Sequence, residues 1–511
     1  MKHKYIVWSV IGLMIQMVLF GCIRDNGNYE YISENELLPV AIVPLEEQYE
    51  AYQGDSMIIV PKFEKMDDEQ RYHYRWYALN ADREVQELAT TRDFKDIVRL
   101  PQGEYTLYYE VKDTVNDVFR RVTSRLSVTA LIQNGWYVLK EMDGMTDFDY
   151  EGLDGSRVNN VLQNVVGEEQ LKGKPLKLVY QPESYYTEII NEEGNTVVLR
   201  NQKAIHVLSD QELKTLDATT LQMFKQYRDE FYAFPVGGYP MNLNYEKDYL
   251  LYIDGGKFYS CSIGGVGKFG EAKYIDNYDY DYDYELFPEM IVVRDKALVY
   301  DRKSRSFLYG THDAAYLSHF NETPDETSVT SIKAEVVALF NSRAEYSTMN
   351  GYAILKNEDV DVVGDYLLMS LKFSSWSLGN NPVTEVSLIP SDCGLPHASV
   401  FSAHATVNCI YFGQDNKLMA YTDAVVEEHE RLVTLFDENE EVAFIQNVKA
   451  KVRGDSKIMN YLVVATNSVE GWKVYFFTLV GETAEIAPNP VHVIKGEGRA
   501  KQVVYYNSSK Y

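Results

Sequence analysis

The chain has 511 residues, and its 76 aspartate and glutamate residues outnumber its 49 lysine and arginine residues, so the formal net charge is −27. Such a charge repels nucleic-acid phosphates and anionic lipid head groups, which argues against both as partners of the folded body. The length exceeds what one ordinary hydrophobic core supports, so two or more domains are expected.

Residues 1–21 have the pattern of a secretory signal. Two early lysines precede an apolar stretch from Tyr5 to Phe20, which is shorter than the roughly 20 residues that a membrane-spanning helix needs. The stretch leads into Leu19-Phe20-Gly21-Cys22, which resembles a bacterial lipobox. The resemblance implies cleavage before Cys22 and acylation of its thiol, which would anchor the mature protein in a membrane. An ordinary signal peptide followed by an incidental cysteine is the alternative.

Residues 22–37 are polar and acidic and show no apolar periodicity, so we expect a flexible tether. Acidic residues close behind Cys22 are similar to signals that direct Bacteroidota lipoproteins to the outer face of the outer membrane. These residues are Asp25, Glu30, Glu34 and Glu36. The resemblance implies a lipid-anchored protein of the outer membrane that faces the cell exterior.

Three further cysteines follow, Cys261, Cys393 and Cys409. An odd number does not form a disulfide framework, and a body of this size needs none. Cys409 lies in the apolar run Val407–Phe412 and is predicted to be a buried thiol.

Residues 38–130 contain several short segments in which apolar and polar positions alternate, separated by turn signals. This pattern predicts a β-sandwich. Tyr72, Tyr74 and Trp76 share one face of a strand, and Trp76 is predicted to be buried between the two sheets.

Several features of this region resemble a PKD-type Ig-like domain. They are Gly54-Asp55, Trp76, the stretch LPQGEYTLYYEVKD at 100–113 and the strand SRLSVTA at 124–130. The preceding segment DNGNYEY at 25–31 is similar to the start of the Bacteroidota PKD-like family lipoproteins. Those proteins accompany SusC/SusD-type nutrient uptake systems, so the resemblance implies a SusC-like TonB-dependent transporter and a SusD-like lipoprotein as partners.

Residues 131–511 repeat a different unit, in which an apolar strand meets a tight polar turn and returns as a second strand with an aromatic residue. The copies are Leu250–Ser262, Ala297–Gly310, Cys409–Thr422 and Leu462–Leu479, with a weaker one at Ala204–Asp217 and another start at Tyr366–Leu371. Their spacing is typical of four-stranded blades and predicts a β-propeller of about seven blades. Two further β-sandwich domains are the alternative.

Two additional features complete this prediction for the second region. The terminal strand Gln502–Tyr506 is expected to pair with an early strand and close the ring, because closure removes an open sheet edge. Short helical inserts are expected at Asp210–Tyr227 and Ala424–Leu432.

No catalytic motif stands out in the sequence. It contains neither a Gly-x-Ser-x-Gly elbow nor a His-Glu-x-x-His zinc helix. His312 and His319 are seven residues apart, as are His397 and His404, and neither spacing puts two imidazoles on one metal without a further ligand. We therefore expect no catalytic residue, no metal and no cofactor, although a carboxylate pair hidden among many acidic residues is not visible in a sequence.

The segment Tyr274–Phe287, YIDNYDYDYDYELF, holds the candidate binding residues. If it is extended, Tyr278, Tyr280, Tyr282 and Tyr284 lie on one face and the aspartates on the other. Such a ladder could stack on sugar rings or hold a peptide in a surface loop. The alternatives are a solvated loop whose tyrosines pack on neighbouring blades, and an irregular calcium site.

Trp376, in the polar stretch Ser374–Asn381, is the second candidate for an aromatic contact with a ligand or partner. Taken together, the sequence predicts an all-β, non-catalytic accessory lipoprotein: a PKD-like sandwich followed by a propeller that captures an oligopeptide or glycan or docks on a transporter. The alternative is a surface hydrolase, a propeller glycosidase or peptidase that trims the nutrient before import.

Overall fold

The computed structural model describes most of the chain between Val40 and Tyr506. The described residues are 40–52, 56–66, 69–81, 83–98, 100, 103–129, 134–166, 169–190, 196–246, 249–262, 267–276, 283–324, 326–345, 347–360, 364–422, 429–451, 458–481 and 484–506. They divide into two compact units. The first consists of the described residues within 1–51, 55–98 and 102–128, and the second of those within 52–54, 99–101 and 129–511.

The described chain is all-β, as the sequence predicted. Its helical segments are short turns: 3-10 turns at Glu69–Arg71, Tyr227–Glu230 and Leu395–His397, and a π-helical turn at Leu162–Val166. Within these ranges, no helix has the length and apolar character to cross a membrane.

The first unit contains a five-stranded sheet in the order β2-β9-β8-β5-β6 and two strand pairs, β3-β7 and β1-β4. Its strands are β1 (Ala41–Ile42), β2 (Gln48–Tyr52), β3 (Ser56–Ile59), β4 (Phe63–Lys65), β5 (Tyr72–Leu79), β6 (Val85–Ala89), β7 (Phe94–Ile97), β8 (Gly103–Asp113) and β9 (Val118–Thr129). Alternate residues of β8 are buried, which is the period expected of a strand with one face on a core.

Trp76 lies at the centre of the first unit's core, so the prediction of its burial is confirmed. Its ring stacks on Tyr109 of the same sheet, with centroids 4.3 Å apart, and packs against Phe94 of the β3-β7 pair at 5.8 Å. The indole N–H donates to the carbonyl oxygen of Thr91 at 3.1 Å, which satisfies its only polar atom.

The second unit contains seven successive sheets of described residues. The first sheet is β10 (Gly135–Met142), β11 (Met145–Gly152), β12 (Arg157–Val158), β13 (Leu171–Lys172) and β38 (Arg499–Tyr506); the second is β14 (Pro175–Ile190), β15 (Thr196–Ser209), β16 (Leu213–Asp217) and β17 (Met223–Gln226); the third is β18 (Pro240–Glu246), β19 (Tyr249–Asp254) and β20 (Lys257–Ser262).

The remaining four sheets follow in chain order. The fourth is β21 (Tyr274–Ile275), β22 (Ile291–Val293), β23 (Lys296–Asp301), β24 (Ser306–Thr311) and β25 (Tyr316–His319); the fifth is β26 (Ala334–Glu345), β27 (Thr348–Asn357), β28 (Tyr366–Ser374) and β29 (Val383–Ile389); the sixth is β30 (Phe401–Ala403), β31 (Ile410–Gln414), β32 (Lys417–Tyr421) and β33 (Glu430–Leu435); the seventh is β34 (Glu441–Lys451), β35 (Ile458–Ser468), β36 (Gly471–Thr478) and β37 (His492–Gly496).

Middle strands of these sheets are buried on both faces. In β19, the consecutive residues Leu250, Leu251, Tyr252 and Ile253 are all fully buried. A strand with one face in water would show alternating buried and exposed residues instead, so each such sheet must be covered on both sides. The uninterrupted apolar runs of the sequence repeat arise from this double burial.

Hydrophobic clusters show what covers the sheets. Within the second unit, one cluster joins each sheet to the next along the chain, from the first–second pair to the sixth–seventh pair. A further cluster joins the seventh sheet to the first, through Val463 and Val474 on one side and Val138 and Val503 on the other. Every sheet of this series therefore packs against two others.

The last strand, β38, belongs to the first sheet. It pairs antiparallel with β10, from Gly135 opposite Tyr506 to Glu141 opposite Arg499. The predicted pairing of Gln502–Tyr506 with an early strand is confirmed.

The hairpins predicted from the sequence repeat are present, but the helical insert predicted at Asp210–Tyr227 is wrong. In the Asp210–Tyr227 segment, β16 pairs with β15 on one side and β17 on the other, and all five residues of β16 are buried. In the Ala424–Leu432 segment, the chain enters β33 at Glu430, while residues 424–428 lie outside the described residues. Packing between neighbouring strands overrides the local helix propensity of the Asp210–Tyr227 segment.

Truncation of Trp76 tests the core of the first unit. Trp76→Ala should lower the free energy of unfolding by roughly 3–5 kcal/mol, because it removes a fully buried ring and leaves a cavity. Urea unfolding measures the change. Val115→Ala is the matched control, since Val115 is 71% exposed in the same unit and its truncation should leave stability nearly unchanged. An unchanged midpoint for Trp76→Ala would contradict the described core.

Candidate functional site

The residues predicted to carry function fall in different places. Cys22 and three of the four ladder tyrosines, Tyr278, Tyr280 and Tyr282, lie outside the described residues. Tyr284 and Trp376 are described, and they differ sharply in exposure.

Tyr284 is a core residue, so its assignment to an exposed ladder is wrong. It is 3% exposed, and its hydroxyl accepts from the backbone N–H of Phe258 at 3.1 Å and donates to the carbonyl oxygen of Lys273 at 2.5 Å. Burial raises the pKa of Tyr284. Tyr284 fills the space between the third and fourth sheets. Its place in an acidic, tyrosine-rich segment gives no indication of this burial.

Of the aspartates in the irregular calcium site considered for this segment, Asp279 and Asp281 lie outside the described residues and Asp283 is described. The carboxylate of Asp283 pairs with the ammonium groups of Lys257 and Lys303. Hydrogen bonds from these two lysines lower the pKa of Asp283 to about 2. Two ammonium groups therefore occupy the oxygens that a cation would need.

Trp376 remains a candidate contact residue, because its side chain is 73% exposed. The guanidinium carbon of Arg294 lies 5.7 Å from the ring centroid, within the range of a cation–π contact. An exposed indole held in this way offers a flat apolar surface to a partner.

One cavity of the second unit lies between the first and seventh sheets, and we call it the Trp472 cavity. Its volume is about 570 Å³. The residues that line it are Lys140, Arg157, Asn159, Asn160, Asn164, Ser468, Glu470, Gly471, Trp472, Lys473, Lys495, Gly496 and Glu497. Amides, cations and carboxylates from distant parts of the chain thus meet at one place.

Two glycines allow the strands beside the cavity to approach each other. Gly471 has a φ of +123°, and a Cβ there would lie 2.1 Å from the carbonyl oxygen of Gly496. A Cβ on Gly496 would lie 2.3 Å from the ring of Trp472. Larger residues would push β36 and β37 apart, so both glycines fix the position of the indole.

Trp472 is only 1% exposed, and its indole N–H has no hydrogen-bond partner among the described residues. The side-chain oxygen of Asn160 is likewise buried without a partner in that part of the chain. Leaving such groups unsatisfied costs about 1–3 kcal/mol each. One is a donor and the other an acceptor.

Arg157 extends the donor side of the cavity. Its guanidinium carbon lies 5.7 Å from the ring centroid of Trp472, and its Nε donates to Oδ1 of Asn159 at 2.8 Å. Glu151 lies 3.7 Å away as a weak ion-pair partner. The guanidinium is held in place while part of it faces solvent.

Two lysines of the cavity are neutralised by carboxylates beneath it. Lys140 pairs with Asp149 at 2.8 Å, and both side chains are buried. Lys473 pairs with the buried Glu440, and this hydrogen bond raises the pKa of Lys473. Exposed Lys495, Glu470 and Glu497 then leave the cavity close to neutral, with hydrogen-bond donors and acceptors mixed.

Sequence reasoning missed the Trp472 cavity. The amides of the cavity follow β12 in the segment RVNNVLQN at 157–164. Its tryptophan lies more than 300 residues later, in a hairpin whose sequence indicates only a copy of the repeat. The three asparagines within a short connection, at Asn159, Asn160 and Asn164, were the available signal.

A smaller polar cluster lies in the fourth sheet, where Asp295, His312 and Asp313 offer ligand atoms within 4.8 Å of one another. Asp295 already accepts from Lys296 at 2.7 Å and pairs with Nδ1 of His312 at 2.9 Å. Burial alone would raise the pKa of Asp295, but these hydrogen bonds hold this pKa below its usual value. The contacts form a hydrogen-bonded network, and we assign no metal to it.

The body cysteines are buried free thiols. Burial raises the pKa of Cys409 to about 12, so the prediction that it is a core thiol is confirmed. Burial likewise raises the pKa of Cys261 to about 12. Thiols of this kind are poor nucleophiles near neutral pH.

Comparison with protein families adds one firm result. The sequence profile of the PKD-like family matches residues 22–175. The chain carries a PKD-like family domain at these residues. The match covers about a third of the chain, begins at Cys22 and extends into the first sheet of the second unit, where it includes Arg157 and the three asparagines of the Trp472 cavity.

The chain also has a distant likeness to solved structures. A quinonprotein alcohol dehydrogenase-like protein from Bacteroides thetaiotaomicron is 14% identical, with 90% of this chain and 96% of that one covered and a TM-score of 0.42. The N-terminal domain of Nup159 is 10% identical over 60% of this chain and 76% of that one, with a TM-score of 0.32.

The extracellular domain of a putative one-component system from B. thetaiotaomicron is 12% identical, covering 62% of this chain and 36% of that one, with a TM-score of 0.29. No curated protein matches the chain. At these identities and TM-scores, the likenesses carry no functional inference, and the function has to be argued from the site.

Proposed function

We propose that this protein is a non-catalytic lipoprotein on the outer face of the outer membrane that captures an oligosaccharide or oligopeptide for a SusC/SusD-type uptake system. The observation that carries the binding role is the Trp472 cavity. Its volume of about 570 Å³ falls in the range of small-ligand sites.

The composition of the cavity supports recognition of a neutral polar chain. The unpartnered indole N–H of Trp472 and side-chain oxygen of Asn160 supply one buried donor and one buried acceptor. Arg157, Lys495 and Asn164 add donors at the rim, and Glu470 and Glu497 add acceptors. Hydroxyl and amide groups, which both donate and accept, complement such a mixture better than a ligand of one charge would.

The anchor and location are supported by the N-terminal sequence. The lipobox-like Leu19-Phe20-Gly21-Cys22 and the acidic residues behind it are typical of an exported, acylated protein. The PKD-like family match begins at the same Cys22. An acyl anchor on that residue would hold the acidic body at a membrane that its charge would not otherwise bind.

The fold that we propose for the second unit is a seven-bladed β-propeller. Three observations support it: each of the seven sheets packs against two others, β38 returns to the first sheet, and residues of six sheets and of the segment before β22 of the fourth line one further cavity of about 470 Å³. A series of sheets packed in this way has only short, protected edges. The exposed Trp376 and the Trp472 cavity would then lie in the connections between strands, where binding residues concentrate.

The transporter and its SusD-like companion are proposed from the resemblance of the segment at 25–31 and the domain that follows. Trp376 beside Arg294 is the surface that we propose for this contact, because aromatic and arginine residues are enriched at protein interfaces.

A surface hydrolase is the second candidate, and one observation favours it. Glu470 and Glu497 both line the Trp472 cavity. A glycosidase requires two carboxyl groups about 5–10 Å apart on either side of the scissile bond. If the protein releases hydrolysis products from the oligosaccharides that it binds, and Glu470→Gln or Glu497→Gln abolishes this release, the hydrolase proposal replaces the capture proposal.

Loss of the rim cations should weaken ligand capture. We expect the double variant Arg157→Ala/Lys495→Ala to bind its oligomer about tenfold more weakly, since two charged hydrogen bonds are removed. Isothermal titration calorimetry with maltohexaose, cellohexaose and hexaalanine distinguishes glycan binding from peptide binding. The melting temperature should change little, because both side chains are exposed.

Arg125→Ala is the matched control for this experiment, since Arg125 is an exposed arginine of the first unit, outside the residues that line the cavity. Equal affinity for the double variant and the control would show that the Trp472 cavity is not the capture site.

Cys22 provides the test of the anchor. Cys22→Ala should move the protein from the membrane fraction to the soluble fraction, because acylation requires the thiol. Fractionation after a high-salt wash measures this, and Cys261→Ala, which changes a buried thiol of the body, should stay with the membrane. Retention of Cys22→Ala in the washed membranes would disprove the lipoprotein proposal.

A further inference from the structure

A second cavity has a different chemistry from the Trp472 cavity, and we call it the seven-sheet cavity because strands of six sheets and the segment that enters the fourth line it. Its volume is about 470 Å³, and it is formed by the first strands of the sheets and the segments beside them. Lys177 and Lys501 oppose a single carboxylate, Glu289, among its ionisable residues. In a chain with a net charge of −27, this is a local excess of positive charge.

Lys177 is the central feature of the polar side. Its ammonium donates to Oδ1 of Asn242 and to Oδ1 of Asn244, each at 2.8 Å. Both partners are neutral amides, and the carboxylate of Glu289 instead accepts from Nδ2 of Asn242 at 2.9 Å. Burial lowers the pKa of Lys177, and the charge of Glu289 offsets only part of that effect.

An ammonium removed from water is costly unless an anion contacts it directly. Within the described part of the chain, Lys177 has hydrogen bonds to amides but no ion pair. The two asparagines orient the ammonium while leaving its charge uncompensated. An anionic group entering the cavity would complete the coordination of Lys177.

Aromatic rings also line the cavity. Phe340 and Phe401 stack with centroids 5.4 Å apart and planes 8° from parallel, and Phe444 of the seventh sheet lines the same side. All three rings are only partly buried. Exposed ring surface inside a cavity favours an apolar, flat occupant over water.

We propose that the seven-sheet cavity is a second binding site, separate from the Trp472 cavity, for a small organic acid that carries a carboxylate on a flat apolar ring. The carboxylate contacts Lys177, with Lys501 adding attraction, and the ring lies against Phe340 and Phe401. The volume of the cavity suits a small molecule.

Benzoate and its neutral isostere benzamide are the probes, measured by isothermal titration with the purified protein. Benzoate should bind with a Kd of about 1 mM or lower, and benzamide about tenfold more weakly, because only the carboxylate pairs with the ammonium. Lys177→Met should remove this preference, and Lys177→Arg should keep it. Phe401→Ala should weaken the binding of both probes.

Two controls separate this site from the rest of the protein. Lys174→Met removes an exposed lysine three residues away and should keep the preference for benzoate. The Arg157→Ala/Lys495→Ala variant of the Trp472 cavity should also keep it, so failure of the proposed function and failure of this inference are distinguishable.

Several outcomes would overturn the proposal. They are absence of benzoate binding at 1 mM and above, equal affinity for the two probes, and an unchanged preference in Lys177→Met. If Lys177→Met does not fold, Lys177 is a structural link between β14 and β18. The site is then supported if Phe401→Ala weakens binding and Lys177→Arg keeps the preference for benzoate. Unchanged binding by Phe401→Ala decides against it.

Discussion

The pairing of the last strand with an early one is the interaction on which the second unit depends. β38 contributes Ala500 and Val503 to the cluster between the seventh and first sheets, and Tyr506 to the cluster between the first and second. The hydroxyl of Tyr506 donates to the carbonyl oxygen of Ala218 at 3.1 Å, and the side chain of Gln502 accepts from the backbone N–H of Leu178 at 2.7 Å. One strand at the end of the chain thus joins three sheets, and its loss would leave β10 with an open edge.

Both cavities follow from that pairing. Lys495 and Glu497 stand just before β38, and Lys140 stands on β10 opposite it, so the Trp472 cavity exists only where the seventh sheet meets the first. Lys501 and Gln502 of β38 line the seven-sheet cavity. Cavity residues far apart in sequence are held by one long-range antiparallel pair, and the two proposed sites depend on it for their geometry.

How far the sequence predicts this structure depends on whether a feature is local. The hairpins were predictable because middle strands such as β19 and β23 are buried on both faces and read as unbroken apolar runs between turn residues. Tyr284 and the Asp210–Tyr227 segment were misjudged because neighbouring sheets decide their burial, which local pattern does not show. The Trp472 cavity joins residues more than 300 positions apart, so the sequence shows only one part of it, the three asparagines at 159–164, and not the tryptophan that they meet.

The dependence of the second unit on β38 is tested most directly by comparing the urea unfolding of two truncated chains. Tryptophan fluorescence monitors the unfolding, and Trp136 and Trp472 lie in the cluster that β38 completes. Removal of residues 499–511 deletes β38, whereas removal of residues 507–511 leaves it intact and serves as the control. We predict that the control unfolds like the full chain, while the shorter chain loses the cooperative transition or shifts it to much lower urea. Equal transitions for the two truncations would contradict the dependence of the second unit on its terminal strand.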